Sequence, residues 1–240
     1  RKQYEESLYK AAFHDELTGL ANRALFIERL NQVIQKSKRP GEKASALLFL
    51  DLDRFKYIND SLGHEIGDEV LKVVAKTLKF ATRGSDVVGR LGGDEFTVLL
   101  DPIDNIDEAR HVAERVLREL NRPYEIAGKE IHIASSIGLT LIDDQLPDPN
   151  SILRNADLAM YEAKNRGKAR LVIFDNSQHD KLLWRMQIET DLRYFVARKA
   201  LEVYYQPLID LKTGHIFAFE ALLRWNHPRK GFISPEIFIP

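Results

Sequence analysis

The chain has 240 residues, of which 44% are hydrophobic and 30% charged; its formal net charge is −1 and it contains no cysteine. This composition is typical of a folded globular protein, and the length is enough for one α/β domain and part of another. The balanced charge argues against binding to a nucleic-acid polymer or a membrane surface. The lack of cysteine excludes disulfides, thiolate catalysis and zinc–thiolate sites.

The apolar runs of the sequence are short. The longest of them, such as Ala46–Leu50, have the length of a strand and not of a membrane span. The first residues do not form the apolar core of a signal peptide. We therefore expect a cytoplasmic chain without direct membrane contact, a fragment of a larger protein whose own membrane anchoring the sequence leaves open.

Hydrophobic periodicity predicts the secondary structure in chain order. The expected helices are an entering helix at 1–13, Leu25–Ile34 with Asn22 or a neighbour as cap, Glu65–Phe80, Ile106–Leu120 and Ile152–Asn165. The expected strands are Ala46–Asp51, a hairpin around Gly92-Gly93, Tyr124–Ala127, Ile131–Ile142 and Arg170–Phe174. This α/β alternation around an antiparallel hairpin predicts a mixed central sheet with helices on both faces.

The pattern changes beyond Asn176. An amphipathic stretch, from Leu182 to Val196, leads into a second apolar segment that begins at Leu201. We therefore predict a domain at 14–175, a linker helix at 176–190 and a second, incomplete domain at 191–240.

The hairpin carries the sequence Gly-Gly-Asp-Glu-Phe at residues 92–96. Glycine tolerates positive φ and lets the backbone approach a ligand closely, so Gly92 and Gly93 allow a tight turn. Asp94 and Glu95 then present two carboxylates at its tip. Such a tip suits a nucleoside triphosphate and its Mg²⁺, although a Gly-Gly-Asp turn alone is also ordinary hairpin chemistry.

The strand that ends in Asp51-Leu52-Asp53 adds further acidic residues. Side chains alternate along a strand, so Asp51 and Asp53 point the same way. If the hairpin is the neighbour of this strand, three or four carboxylates come together, and they repel one another unless a cation holds them. A hard, oxygen-rich site of this kind suits Mg²⁺ or Mn²⁺. The alternative is that Asp51 only ends a strand and caps the helix that follows.

A third group of polar residues, Asn59, His64 and Asp68, lies between the strand and the next long helix. An amide and a carboxylate can together read the edge of guanine. The alternative is that Asn59 ends one helix, Gly63 turns, and Asp68 lies in the first turn of the next helix. The spacing alone favours this structural interpretation.

Taken together, the ordered motifs make the chain similar to the GGDEF family of diguanylate cyclases over roughly residues 8–175. The matching segments are Asp15-Glu-Leu-Thr-Gly-Leu-Ala-Asn-Arg23, Asp51-Leu-Asp-Arg-Phe-Lys56, Asn59-Asp60, Gly63-His64, Gly67-Asp68, Gly92–Phe96, Ser136-Ile-Gly138, and Ala156-Asp157 through Tyr161-Glu-Ala-Lys164. The resemblance implies the nucleotidyl-cyclase, polymerase-palm-like fold and the condensation of two GTP molecules into cyclic di-GMP and two pyrophosphates.

The resemblance also implies a role for each matching residue. Asp51 and Asp94 would bind Mg²⁺, assisted by the Leu52 carbonyl and Glu95, and either Asp94 or Glu95 would help to activate the attacking hydroxyl. Residues of the GTP site would be Asn59, His64, Asp68, Gly92, Gly93, Lys164 and Lys168. At position 168 the family usually has arginine, so this lysine keeps the charge and weakens bidentate contact. Because one domain holds one GTP, the active species would be a two-fold homodimer.

Upstream of the hairpin, Arg83-Gly-Ser-Asp86 has the spacing of the family's inhibitory RxxD motif, and Arg115 matches a secondary position of that site. The resemblance therefore implies inhibition by bound cyclic di-GMP. The alternative for an arginine and an aspartate at this spacing is a surface salt bridge.

The chain from about residue 190 resembles the opening of an EAL-type cyclic di-GMP phosphodiesterase. Tyr204-Tyr-Gln-Pro207 and Phe219-Glu-Ala-Leu-Leu-Arg-Trp225 carry this resemblance. It implies the first strands and helix of a (β/α) barrel, with Glu220 as a metal ligand and Gln206 and Arg224 on the dinucleotide. The remaining ligands would lie beyond Pro240, so this fragment would not hydrolyse cyclic di-GMP alone. The opening residues also resemble the exit from a PAS-type sensory domain.

Three functions remain open on this basis. The first is a product-inhibited diguanylate cyclase in a tandem synthase and hydrolase. The second is a GTP-binding regulatory domain that controls the phosphodiesterase. The third is a full protein that acts mainly as a hydrolase, with its cyclase silent under most conditions. The presence of Asp51, Asp94 and Glu95 favours the first, since regulatory domains of this type usually lack acidic residues in the hairpin.

Overall fold

A computed structural model describes residues 10–39, 41–142, 148–175, 187–188, 190–196 and 201–238. The chain divides into two compact units, residues 1–175 and 176–240. Residues 10–13 are helical, and the rest of the predicted entering helix, at 1–9, lies outside the described residues.

The first unit alternates helices and strands. Its helices are α1 (Arg23–Ser37), α2 (Phe55–Leu62), α3 (His64–Phe80), α4 (Ile106–Leu120) and α5 (Pro149–Asn165). Its strands are β1 (Ala44–Leu52), β2 (Val87–Gly92), β3 (Glu95–Ile103), β4 (Pro123–Ile126), β5 (Lys129–His132), β6 (Ser135–Ile142) and β7 (Leu171–Ile173). Five strands form the central sheet in the order β2-β3-β1-β6-β7, with only the β6–β7 pair parallel among them. This confirms the predicted mixed sheet.

The single strand predicted over Ile131–Ile142 is wrong. The chain forms two strands there, because β5 pairs with β4 in a separate hairpin whereas β6 enters the central sheet beside β1. The apolar pattern is continuous across the break, since Ile131, Ile133 and Ile137 are all buried. Periodicity alone therefore does not reveal that the chain leaves one sheet for the other.

The central strand β1 is buried on both faces. Its even-numbered residues, such as Leu48 and Leu50, pack in a core with α3 and α4, and its odd-numbered residues, Leu47 and Phe49, pack in a second core with α1 and α5. This explains why its sequence is a continuous apolar run and not an alternating one. It also fixes the face on which the next odd-numbered residue, Asp51, lies.

Helix α5 approaches the sheet unusually closely at Gly138 of β6. A Cβ atom at this position would lie 1.9 Å from the carbonyl oxygen of Ala156 and 2.3 Å from the backbone nitrogen of Met160. Both atoms belong to the backbone of α5, so a side chain at 138 has no room. The Ser-Ile-Gly motif thus allows α5 to lie close to β6, with its last turn at the end of β1.

The second unit contains a three-stranded antiparallel sheet. Its strands are β8 (Glu202–Ile209), β9 (Ile216–His227) and β10 (Gly231–Ile233), and the short helix α6 (Pro235–Phe238) follows. Ile188, Trp225, Ile233 and Phe238 form its small core. Of the predicted linker helix at 176–190, residues 176–186 and 189 lie outside the described part. Within the described residues, no helix has the length and apolar character needed to cross a membrane.

Candidate functional site

The acidic side chains predicted from the sequence meet at the end of the central sheet. Asp51, the last odd-numbered residue of β1, is paired with Glu95 of β3 on one side and with Ser136 of β6 on the other. Glu95 follows the same alternation as the buried Leu99, which packs with α1 and α5. Asp51 and Glu95 therefore lie on the sheet face that α5 covers.

The hairpin between β2 and β3 is a two-residue turn at Gly93-Asp94, because Gly92 pairs with Glu95. Gly93 has φ 51°, in the left-handed region that glycine adopts without strain. The guanidinium of Arg90 donates to the Gly93 carbonyl oxygen at 2.7 and 2.9 Å. The turn that presents Asp94 is thus fixed by a side chain of its own strand.

Arg90 also ties the hairpin to the start of the domain. Its Nη1 donates to the two carboxylate oxygens of Asp15 at 3.0 and 3.1 Å, and its side chain is only 12% exposed. Asp15 in turn accepts from the backbone and the hydroxyl of Thr18. The sequence motif that contains Asp15 gives this residue no role, whereas the structure shows that it anchors Arg90.

Lys164 lies in the last turn of α5 and pairs directly with Asp51. The distance from Nζ to Oδ1 is 2.6 Å, and the Asp51 side chain is only 14% exposed. The predicted phosphate-binding lysine and the predicted metal ligand are therefore in contact. Lys168, the second predicted cation, lies just beyond α5 with φ 63° and is exposed.

The carboxylates of this site are electrostatically strained. Burial raises the pKa of Asp51, and repulsion by Asp94 acts in the same direction while the Lys164 ammonium opposes it. Burial also raises the pKa of Glu95, followed by repulsion from Asp157, Asp51 and Asp94. A cation bound here would relieve this repulsion.

Asp157, on α5, belongs to this acidic group, although its position in the sequence gave no reason to place it there. Burial raises its pKa, with Lys164 acting in the opposite direction. Asp157 and Lys164 are seven residues apart, which is two helical turns, so they share one face of α5. Once α5 is known to pack on the sheet, this spacing predicts that Asp157 lies on the same side of the helix as Lys164.

Replacing Glu95 with glutamine is expected to stabilise the fold at neutral pH. Because the folded-state pKa of Glu95 is raised, its contribution to stability is fully present below the unfolded-state pKa and is lost as the pH rises through the folded-state pKa. Glu95→Gln removes this loss, so its melting temperature at pH 7 should exceed that of the wild type by about one to three degrees, a small gain because water screens this half-buried group.

Thermal melts between pH 4 and pH 8 measure this difference, which should close towards the acidic end. The control is Glu114→Gln, at an exposed position on α4. A melting temperature that rises equally in both variants at every pH would contradict the assignment of strain to Glu95.

The predicted guanine residues lie around the junction of α2 and α3. Asn59 is in α2, and His64 and Asp68 share one face of α3 as residues i and i+4. The Oδ1 atom of Asn59 is buried without a hydrogen-bond partner, and a Cβ at Gly67 would lie 1.8 Å from it. Gly67 therefore makes room for the Asn59 amide beside Asp68.

The predicted product site forms a second, separate region. Asp86 accepts a hydrogen bond from the backbone N–H of Arg83 at 2.7 Å, and the Arg83 guanidinium lies 2.6 Å from Glu108. Burial raises the pKa of Asp86, while the nearby Arg83 and Arg115 oppose this shift. Arg115 donates to the Ala81 carbonyl oxygen at 2.7 Å. The three predicted residues are therefore neighbours.

A cavity of about 620 Å³ adjoins this region. Its lining includes Arg83 and Asp86, the segment around Gly19, Arg29 and Lys79. This volume is within the range of cavities that bind ligands of nucleotide size.

The residues predicted in the EAL fragment lie on the antiparallel pair β8 and β9. Gln206 is directly opposite Glu220, and both are exposed. The Arg224 guanidinium lies 6.0 Å from the ring centroid of Tyr204 and 5.9 Å from that of Phe232. Gln206 and Glu220 thus share one place on the sheet, whereas Arg224 packs among aromatic rings.

The acidic group offers the right kind of donor for a hard divalent cation. In the part of the chain that the structure describes, no three His, Asp or Glu side chains are arranged to hold a metal ion. The predicted ligand set relies instead on carboxylates together with the backbone carbonyl of Leu52, whose side chain is buried in the opposite core. Oxygen donors and mutually repelling carboxylates both fit Mg²⁺ or Mn²⁺.

Comparison with known proteins agrees with this geometry. A model of the family described as "Diguanylate cyclase, GGDEF domain" matches residues 12–170, and a model of the EAL domain matches residues 189–240. Among solved structures, the GGDEF domain of YfiN from Pseudomonas aeruginosa superposes with a TM-score of 0.68 at 37% identity, covering 71% of this chain and 99% of that one. The coiled coil and GGDEF domain of DgcB from Caulobacter crescentus, in complex with c-di-GMP, gives 0.66 at 26% identity, covering 72% and 91%.

Curated relatives extend the similarity over nearly the whole sequence. The chain is 39% identical to the bifunctional diguanylate cyclase/cyclic di-GMP phosphodiesterase MucR of Pseudomonas aeruginosa, over 97% of this chain and 34% of that protein. It is 37% identical to the cyclic di-GMP phosphodiesterase NbdA of the same species, over 97% and 30%. The chain thus spans about a third of the length of these relatives. It belongs to the GGDEF family of diguanylate cyclase domains, and the start of an EAL domain follows in the same chain.

Proposed function

We propose that the first unit condenses two molecules of GTP into cyclic di-GMP and two pyrophosphates with the help of Mg²⁺ or Mn²⁺. The observation that carries this proposal is the acidic group at the ends of β1 and β3, with Lys164 in contact with Asp51. Half-buried carboxylates that repel one another destabilise a sheet end that has only a structural role. At a metal–triphosphate site the bound cation would offset this repulsion.

Asp51, Asp94 and the Leu52 carbonyl would hold the metal ion, with Glu95 assisting. The metal would supply charge stabilisation for the displacement at the α-phosphate. Either Asp94 or Glu95 would accept the proton of the attacking 3′-hydroxyl.

The remaining residues bind and orient the nucleotide. Asn59 and Asp68 would read the guanine edge, and the space left by Gly67 supports this placement of the Asn59 amide. His64, on the same face of α3 as Asp68, would line the site. Lys164 and Lys168 would neutralise the triphosphate, and Gly92 and Gly93 would let the backbone approach it.

The reaction needs two copies of this unit. Each 3′-hydroxyl must attack the α-phosphate of the other GTP, so two sites have to face each other across a two-fold axis. We therefore propose a homodimer as the active species, reached at least during each turnover. A sensory domain upstream, of the PAS type, would control this pairing.

Incubating the chain with GTP and Mg²⁺ and separating the nucleotides by chromatography tests the proposal. Cyclic di-GMP and pyrophosphate in a ratio of one to two, at a rate that rises more than linearly with protein concentration, is the expected result. GTP that is bound but not converted, even when two copies are linked, would contradict the cyclase function.

A second function is a GTP-binding domain that regulates the phosphodiesterase. The naming of NbdA, at 37% identity, as a phosphodiesterase favours it. The whole protein would then hydrolyse cyclic di-GMP through its complete EAL domain, with Glu220 as a metal ligand and Gln206 and Arg224 on the substrate. A GTP-dependent change in hydrolysis without any cyclic di-GMP synthesis distinguishes this function from the first.

We further propose that cyclic di-GMP inhibits the cyclase by binding at Arg83, Asp86 and Arg115. The cavity beside Arg83 and Asp86 supports this, because it has room for a nucleotide ligand next to a guanidinium and a carboxylate. Arg83→Ala is expected to raise the cyclic di-GMP concentration that halves the rate by about tenfold or more, since one charge-assisted contact is lost.

The inhibition is measured by adding cyclic di-GMP and following pyrophosphate release. The control is Arg110→Ala, an exposed arginine on α4 that pairs with Asp107, three residues earlier in the same helix. Equal inhibition of the wild type, the control and Arg83→Ala would assign Arg83 to a surface salt bridge with Glu108 instead.

A further inference from the structure

The segment that joins α5 to β7 has an uncommon backbone. Gly167, Lys168 and Ala169 have φ values of 110°, 63° and 48°. Gly167 closes the helix in the usual way: the N–H of Lys168 donates to the Ala163 carbonyl at 3.0 Å, and that of Gly167 donates to Lys164 at 3.4 Å. Lys168 and Ala169 then remain left-handed although both carry a Cβ, which disfavours this conformation.

Asp53 connects this segment to the sheet. Its Oδ2 accepts the backbone N–H of Ala169 at 3.0 Å. The same carboxylate accepts the hydroxyl of the buried Ser136 at 2.9 Å, and the Asp53 N–H donates to the Ala134 carbonyl at 2.9 Å. The carboxylate is therefore held by the sheet on one side and binds the strained residue on the other.

Among the described residues, Arg170 provides a second link between the segment and the sheet. Its Nε atom donates to the Lys168 carbonyl at 3.1 Å, and its own carbonyl oxygen accepts the N–H of Ile137 in β6 at 2.9 Å. The Asp53 contact differs because it reaches the left-handed residue Ala169 itself from the end of β1, across 116 positions of sequence. It is thus able to fix where Lys168 lies relative to the acidic group.

We propose that Asp53 is a positioning residue, not a metal ligand: it holds residues 167–169 in their left-handed conformation and so keeps Lys168 at the triphosphate. The role of Lys168 rests on the proposed function, whereas the conformational role of Asp53 does not. Asp51 and Asp53, two residues apart on one face, thereby have separate tasks. Asp51 pairs with Lys164 and would hold the metal ion, whereas Asp53 supports the segment that carries the second cation.

The test distinguishes a positioning role of Asp53 from a metal-binding role by measuring the conformation of the backbone at residues 167–169. Asp53→Ala removes the acceptor, and Asp53→Asn is a second variant of nearly the same size that keeps one oxygen. In Asp53→Ala, exchange of the Ala169 amide with deuterium, followed by NMR on the 240-residue chain, should accelerate about tenfold. Affinity for a non-hydrolysable GTP analogue with Mg²⁺ should fall by about the same factor.

The decisive measurement is rescue. Glycine adopts the left-handed region without penalty, so Ala169→Gly in the Asp53→Ala background should restore most of the analogue affinity. In the wild-type background the same change should alter the affinity less than twofold, since the segment is already held. Ser136→Ala should have a smaller effect than Asp53→Ala, because Asp53 still reaches the Ala169 amide.

Three outcomes would overturn the proposal. Unchanged exchange of the Ala169 amide in Asp53→Ala would show that the contact does not hold the segment. A loss of affinity that Ala169→Gly does not restore would show that Asp53 acts on the ligand directly, as a metal ligand would. Faster exchange with unchanged affinity would show that the segment does not place Lys168. If the wild type bound no analogue, the proposed function would fail, and the amide exchange would still decide the role of Asp53.

Discussion

Asp94→Ala is expected to lower the rate of cyclic di-GMP formation by about a thousandfold or more while the domain stays folded. Asp94 stands in the two-residue turn of the hairpin, outside both hydrophobic cores. Its carboxylate repels Asp51 and Glu95, so removing it costs the fold nothing and relieves part of the repulsion. The whole effect should therefore fall on the reaction.

The rate is followed by chromatography of the nucleotides at saturating GTP, and the fold is checked by the melting temperature. Asp107→Ala, an exposed aspartate on α4 that pairs with Arg110, is the matched control and should keep the wild-type rate. If Asp94→Ala turned over GTP at more than a tenth of the wild-type rate, the acidic hairpin would not be the metal site. The proposed mechanism would then be wrong.

Gly138→Ala is expected to destabilise the first unit by about 3 kcal/mol or more. The added methyl group would lie 1.9 Å from the Ala156 carbonyl and 2.3 Å from the Met160 nitrogen, and both are backbone atoms that cannot rotate away. Relief requires α5 to move off the sheet. That movement would also carry Lys164 and Asp157 away from Asp51 and Glu95.

Urea denaturation followed by circular dichroism measures the loss. Gly84→Ala is the matched control, since no atom lies within 4 Å of the Cβ it would add, and its stability should change by less than about 0.5 kcal/mol. Equal stability of the two variants would mean that α5 can move away from the sheet at little cost in free energy. The acidic group would then not depend on how closely they pack.

Most of the fold was predictable from local patterns of apolar residues in the sequence. The apolar run before Asp51 and the periodicity of Ile106–Leu120 predicted a strand and a helix that the structure contains, because burial on two faces or on one stripe leaves a direct trace in the residue types. The division of Ile131–Ile142 into two strands left no such trace. Its cause is the pairing partner of each half, which depends on residues far away in the sequence.

The residues of the candidate site were predictable to a similar extent, but their long-range contacts were not. Asp51, Asp94, Glu95 and Lys164 all stand in motifs, so the sequence alone was enough to propose them. Other contacts arise only when distant segments meet: Arg90 reaches Asp15 across 75 positions. Asp157 joins the acidic group for a similar reason, since it follows from the docking of α5 at Gly138. Such roles depend on strand register and helix packing, which single-sequence patterns do not contain.

The ion pair between Lys164 and Asp51 implies that the metal ion and the triphosphate bind more readily together than either does alone. On the proposed function, Lys164 acts as an internal counter-ion while no metal is bound, and a divalent cation arriving alone would have to compete with it for Asp51. A triphosphate offers the displaced ammonium a new partner. Binding of each ligand therefore favours binding of the other. By thermodynamic reciprocity, GTP should raise the affinity for Mg²⁺ by the same factor by which Mg²⁺ raises the affinity for GTP.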